Sequence, residues 1–130
     1  QRGPMIDPRI AQQRWRDYLN LEKLALQSTF VPYRVLAHPI RMARTNSTVP
    51  SEFDELLVDL ASLAKKKNKA LELNGRDIAY APQIVRRLAL ACSKAGCKVS
   101  LGSDAHHPRD ILKNLDVAMN LVQELKLELA

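Results

Sequence analysis

Glycine, aromatic residues and cysteine are all scarce in this chain, and each scarcity narrows its chemistry. Only 4 of the 130 residues are glycine. A glycine-rich phosphate cradle is therefore not expected, and none of the patterns G-x-x-x-x-G-K-[ST], G-x-G-x-x-G or G-x-S-x-G occurs. Aromatics make up 5% of the chain and do not interleave with its basic residues as a base-stacking surface would require. The two cysteines, Cys92 and Cys97, lack the C-x-x-C spacing of a redox or metal pair. The expectation is two buried thiols, one on a helix face and one leading into a strand. No apolar run approaches the ~18 residues that cross a bilayer, and no charged-then-apolar signal pattern is visible. These absences predict a soluble, cytoplasmic protein without membrane contact.

What is present is ordinary for a globular chain: 46% apolar residues and 26% charged ones. The length suits one compact domain. A net charge of +6 favours anionic partners, such as phosphorylated molecules or nucleic acid. The densest basic run, Lys65-Lys66-Lys67-Asn68-Lys69, falls at the end of a predicted helix, where cations complement the dipole. It reads as a solvated helix end rather than a nucleic-acid patch.

Asp7-Pro8 resembles an N-cap followed by proline at the first helical position. The helix it opens is predicted to reach about Gln27, with Ile10, Trp15, Tyr18 and Leu19 inward. After a loop from Ser28 to Pro32 comes a strand over Tyr33 to Ala37, ending at His38. Pro50-Ser51-Glu52 opens a helix whose stripe is Phe53, Leu56, Leu57, Leu60, Leu63 and Ala64. A second strand, Ala70 to Leu73, ends at Asn74-Gly75-Arg76. Pro82 begins a helix with Ile84, Val85, Leu88, Ala91, Cys92 and Ala95 inward, and Gly96 stops it. The third strand, Lys98 to Leu101, leads to Asp104. The last helix follows His107-Pro108, with Leu115, Ala118, Met119, Val122 and Leu125 on one side. Strand ends thus recur about every 30–36 residues, the spacing of βα units with right-handed crossovers. The fold class is α/β with a parallel sheet.

In such a sheet the strands point one way, so His38, Asn74 and Asp104 should share one rim, the edge where α/β proteins place their chemistry. Asp104 and His106 are two apart; on extended chain both face one side and can share an ion. Imidazole with carboxylate suits Zn, Mn or Fe better than Ca. A competing account makes His38 a satisfied core histidine and Asp104 a helix cap. Arg76 and Arg41 each follow a strand end, where a guanidinium can clamp a phosphate or pair with a carboxylate such as Asp77. Asn74 either binds a ligand or forms a turn with Gly75. Glu72, inside its strand, is open in direction, and His107 reads as a solvent-facing neighbour.

The elements Val35-Leu36-Ala37-His38-Pro39, Ala70-Leu71-Glu72-Leu73-Asn74 and Val99-Ser100-Leu101-Gly102-Ser103-Asp104-Ala105-His106 together resemble the PHP (polymerase and histidinol phosphatase) family. The likeness covers roughly Phe30 to Asp110, the C-terminal half of such a domain. It implies a distorted (β/α)7 TIM-like barrel, with a flavodoxin-like doubly wound sheet as the competing fold. It also implies a metal-dependent hydrolase in which metal-activated water attacks a phosphate monoester or diester. By motif, His38, Asp104 and His106 become metal ligands, with Asn74, Arg76 and Arg41 facing substrate. A DNA polymerase-associated nuclease or structural module, and a non-catalytic α/β scaffold, are the alternatives.

The family's opening H-x-H motif has no counterpart here, since none of the 3 histidines precedes His38. Gln1 is not a start residue. The expectation is a single partial domain, residues 1–130, carrying only the C-terminal ligands and weak or inactive alone. Pairing with another chain and loss of catalysis are the other accounts of the missing ligands. An unfinished sheet should also self-associate through its open edge.

Overall fold

In the computed structural model, residues 6–28, 33–103 and 105–130 are described. The first helix, α1 (Pro8–Gln27), begins as the sequence predicts. Asp7 caps it by accepting the Arg9 backbone N–H at 2.8 Å, an interaction of about 1 kcal/mol. Trp15 and Leu19 are buried, but Ile10, expected inward, is 52% exposed. The buried stripe is Ala11, Trp15 and Leu19, at intervals of four, and Ile10 sits one position off it.

The first strand, β1 (Val35–Leu36), is shorter than the predicted Tyr33 to Ala37. It pairs only through Val35 with Ala70 and Leu36 with Leu71, before the chain turns away at His38. A 3₁₀ turn (Arg41–Arg44) leads towards α2 (Phe53–Lys66), then β2 (Ala70–Asn74). The predicted Asn74-Gly75 turn proves to be the start of a short helix, α3 (Gly75–Tyr80). The next helix, α4 (Pro82–Ala95), ends at Gly96, whose φ of 70° is the left-handed conformation glycine adopts freely. Then come β3 (Val99–Gly102), a 3₁₀ turn (Pro108–Asp110) and α5 (Ile111–Leu125).

The three strands are parallel and lie in the order β1-β2-β3. Each parallel step requires a crossover, and the two crossover helices, α2 and α4, pack on one another and on β2. Their predicted stripes form the core: Phe53, Leu57, Leu60 and Ala64 meet Val85, Leu88 and Cys92 above Leu71, Leu73 and Val99. Each such leucine removes enough apolar surface from water to contribute about 1.5–3 kcal/mol. Trp15 meets Phe53 edge-on, with ring centroids 5.0 Å apart, and its Nε1 donates to the Asn46 carbonyl at 3.0 Å. These contacts fasten α1 to α2.

The chain's last residues run along β3. Val99 donates to the Glu128 carbonyl and accepts the Ala130 N–H, both at 2.9 Å. The outer edge of β1 pairs with no strand among the described residues. None of the described helices is long and apolar enough to cross a membrane.

Candidate functional site

Because the strands are parallel, the segments leaving Leu36, Asn74 and Gly102 emerge at one rim. His38 lies two residues beyond β1, Asn74 is the last residue of β2, and His106 lies in the loop after β3. Asp104, the carboxylate of the predicted Asp-x-His pair, lies outside the described residues.

Glu72 braces this rim. Its Oε1 accepts the His38 backbone N–H at 2.8 Å and the Asn74 side-chain amide at 3.1 Å. A Cβ built on Gly102 would overlap the Glu72 Oε2. A side chain at 102 would require the Glu72 carboxylate to shift, and with it the bonds to His38 and Asn74. Glu72 therefore faces the rim end of the sheet and touches all three strands or their exits. His38 has φ 32°, a left-handed conformation that is strained for a non-glycine residue. The bond to Glu72 holds it there. Its side chain is exposed, which excludes the core-histidine account.

Asn74 is 4% exposed. Its Oδ1 accepts the Arg76 and Asp77 backbone N–H groups at 3.0 and 3.1 Å, capping α3. Asn74 thus caps a helix instead of closing a turn with Gly75, and both its oxygen and an amide N–H are committed to the scaffold.

The two arginines diverge. Arg41 donates through Nε to the Asp77 carboxylate at 2.7 Å, and Arg44 joins it at 3.2 Å. Positions i and i+3 eclipse on a 3₁₀ turn, so both guanidinium groups reach the same oxygen. Asp77 is 2% exposed, and its Oδ2 is buried without a hydrogen-bond partner. Arg76, next to Asp77 in sequence, turns away from it and contacts the His106 imidazole. Its guanidinium carbon is 5.9 Å from the Tyr80 ring centroid; that of Arg44 is 4.8 Å away. A pocket of about 560 Å³ opens here, lined by Arg76, Tyr80, His106, His107, Asp110 and Lys113. Asn114 of α5 donates to the Ser103 carbonyl at 2.7 Å, tying the loop after β3 to that helix.

Two further titratable pairs lie away from the pocket. Burial pushes the Glu22 carboxyl up to about 9, against the lowering effect of its hydrogen bond with Tyr18. Its Oε2 is buried without a partner. The Tyr18 phenol is raised as well, by burial and then by the charge of Glu22, while a hydrogen bond with the Arg41 backbone opposes the rise. Cys92 and Cys97 are buried, as expected. Their mutual hydrogen bond raises the Cys92 thiol, with burial adding to it, and lowers that of Cys97.

Among the described residues, no three histidine, cysteine, aspartate or glutamate side chains lie together as a metal-holding group. The donor types at the rim, imidazole and carboxylate, nevertheless suit a divalent transition ion. Sequence reasoning offered Asp77 as a partner for Arg41 but missed that Arg44 joins it there, although the R-x-x-R spacing was visible. It also missed the dependence of Gly102 on Glu72. Compared with protein-family models, curated proteins and solved structures, the chain finds no match.

Proposed function

We propose that this chain supplies the C-terminal βα units of a PHP-type, TIM-like barrel that hydrolyses phosphate esters with a divalent metal ion. The observation that carries the reading is the convergence of two strand-end segments bearing His38 and His106 on one rim. Glu72 holds the first of them, and Arg76 and Lys113 line the pocket beside the second. The sequential order of the three parallel strands is compatible with a barrel segment, as it is with one half of a doubly wound sheet.

In this reading His38, His106 and Asp104 hold Mn, Zn or Fe, with further ligands from strands beyond the outer edge of β1. The ion would acidify a bound water and polarise a phosphoryl oxygen. Arg76 presents its forked donors to the phosphate. Arg41 acts through Asp77 as a positioning residue, and Asn74 sets the start of α3. In the isolated chain, the unpaired edge of β1 meets a second copy. A clean monomer at high concentration in sedimentation velocity contradicts that part.

The test is calorimetric titration with Mn²⁺ and Zn²⁺ of the chain and of His38→Ala and Asp104→Ala variants. Saturable binding, weakened at least about tenfold in each variant (some 1.4 kcal/mol), is the expected result. No saturable binding, or binding indifferent to both substitutions, removes the reading.

A further inference from the structure

The opposite end of the sheet carries a second feature, independent of the rim. We infer that it is an anion pocket that takes the phosphate backbone of a nucleic acid. Parallel register builds it. Ala70 donates to the Arg34 carbonyl at 2.8 Å, and Leu71 to the Lys98 carbonyl at 3.2 Å. Arg34 thus lies opposite Lys69, while Lys98 lies opposite Ala70, one residue further along. With strands about 4.8 Å apart, Arg34 and Lys69 are like charges side by side, which repel unless an anion lies against them, and Lys98 borders the same pocket from the third strand. Lys65 joins them from the last turn of α2, its Nζ 3.0 Å from where a Cβ on Gly96 would stand. Together they surround a pocket of about 640 Å³.

The cations are not all neutralised by the fold. The C-termini of α2 and α4 point to this end, each equivalent to about half a negative charge. Glu128 adds one carboxylate, 3.8 Å from Lys98. Against Arg34, Lys65, Lys69 and Lys98 this leaves about two positive charges, and the exposed Lys66 and Lys67 continue the patch outward.

The four cations around the pocket, and its size, match a repeating polyanion better than a single phosphate. No large apolar side chain is among those lining the pocket, so a membrane-inserting contact lacks its anchor. The Lys69 amine sits 3.3 Å from the Tyr33 ring centroid and covers that face against a stacking base. Contact is then to phosphates, which position a chain without reading its sequence.

Fluorescence anisotropy with labelled oligothymidylate, followed between about 50 and 200 mM KCl, tests this. The double variant Lys69→Gln/Lys98→Gln should bind about tenfold or more weakly. The slope of log affinity on log salt should shrink by ~1.4, since each phosphate neutralised on a single strand contributes about 0.7. The control Arg9→Gln/Arg14→Gln removes the same charge from exposed positions of α1 and should bind like the parent. An unchanged near-ultraviolet dichroism of Trp15 certifies the fold of each variant. The inference is overturned if the control weakens binding equally, or if the oligomer does not bind at the lowest salt. It is also overturned if inorganic phosphate competes as well as unlabelled oligomer, or if phosphatidylserine vesicles bind through these lysines and the oligomer does not.

Discussion

The two ends of the sheet are both rich in cations, yet they use them differently. At the rim, Arg41 and Arg44 are bound to a carboxylate that is 2% exposed, and Glu72 is fixed by the His38 N–H and Asn74. Charge there is structural: it sets the path of the loop that bears His38. At the opposite end the cations flank an open pocket with a single glutamate among them. The lesson is that the sign of a patch says little about its role. Whether each charge faces a buried partner or solvent decides whether removing it costs stability or binding.

The largest expected effect comes from breaking the rim. Asp77→Asn removes the buried carboxylate shared by two arginines whose side chains are 28% and 22% exposed. Removing one partner of such a buried ion pair costs about 3 kcal/mol, or a fall in Tm of about 10 °C for a chain of this size. Arg44→Gln alone should cost less, since Arg41 remains. If Asp77→Asn melts like the parent, the rim's charges are no more structural than those of the other end. Gly102→Ala is the next test. Its methyl group collides with the Glu72 carboxylate, and overpacking of this kind costs about 1–3 kcal/mol. Glu72→Ala should relieve the clash, so the double variant is expected to be more stable than the sum of the single losses. Additive losses in chemical denaturation would break the account of the contact between Gly102 and Glu72.

A third prediction concerns pH. Glu22 titrates at about 9 in the folded chain and near 4.3 when unfolded. Between those values the folded state holds the extra proton, so its stability falls as pH rises. The contribution is complete below the unfolded value and lost on passing through the folded one. The slope is at most about 1.4 kcal/mol per pH unit. Denaturation midpoints measured from pH 5 to 9 should decline for the parent and flatten for Glu22→Gln. Equal slopes for the two proteins would show that the carboxyl is not the source.

Much of the scaffold was legible in the sequence because apolar spacing reports a helix face directly. The stripes of α2 and α4 and the stop at Gly96 follow from local rules. The rim residues were also findable, since each stands just past an apolar run. Their partners were not. Arg76 and Arg41 had equal claims on Asp77, and only the 3₁₀ turn, which eclipses Arg41 with Arg44, decides between them. The Lys65 to Lys69 run resembled an ordinary helix end for the same reason. Nothing local reveals that strand register sets Arg34 and Lys98 beside it, from positions some thirty residues away.

The smallest expected effect completes the comparison. Lys98 and Glu128 are 3.8 Å apart with side chains 51% and 73% exposed, and pairs of that kind contribute about 0–1 kcal/mol. Lys69 gives up a cation–π interaction worth about 0.5–1 kcal/mol, but its removal also relieves repulsion from Arg34 and Lys98. The Lys69→Gln/Lys98→Gln variant should therefore unfold within about 0.5 kcal/mol of the parent. At low salt, where the repulsion is least screened, the difference should shift in the variant's favour. A loss comparable to that of Asp77→Asn would make these lysines part of the fold. Near-neutral stability beside a clear loss of oligonucleotide affinity would separate the two ends, one set of cations holding a loop and the other left for a partner.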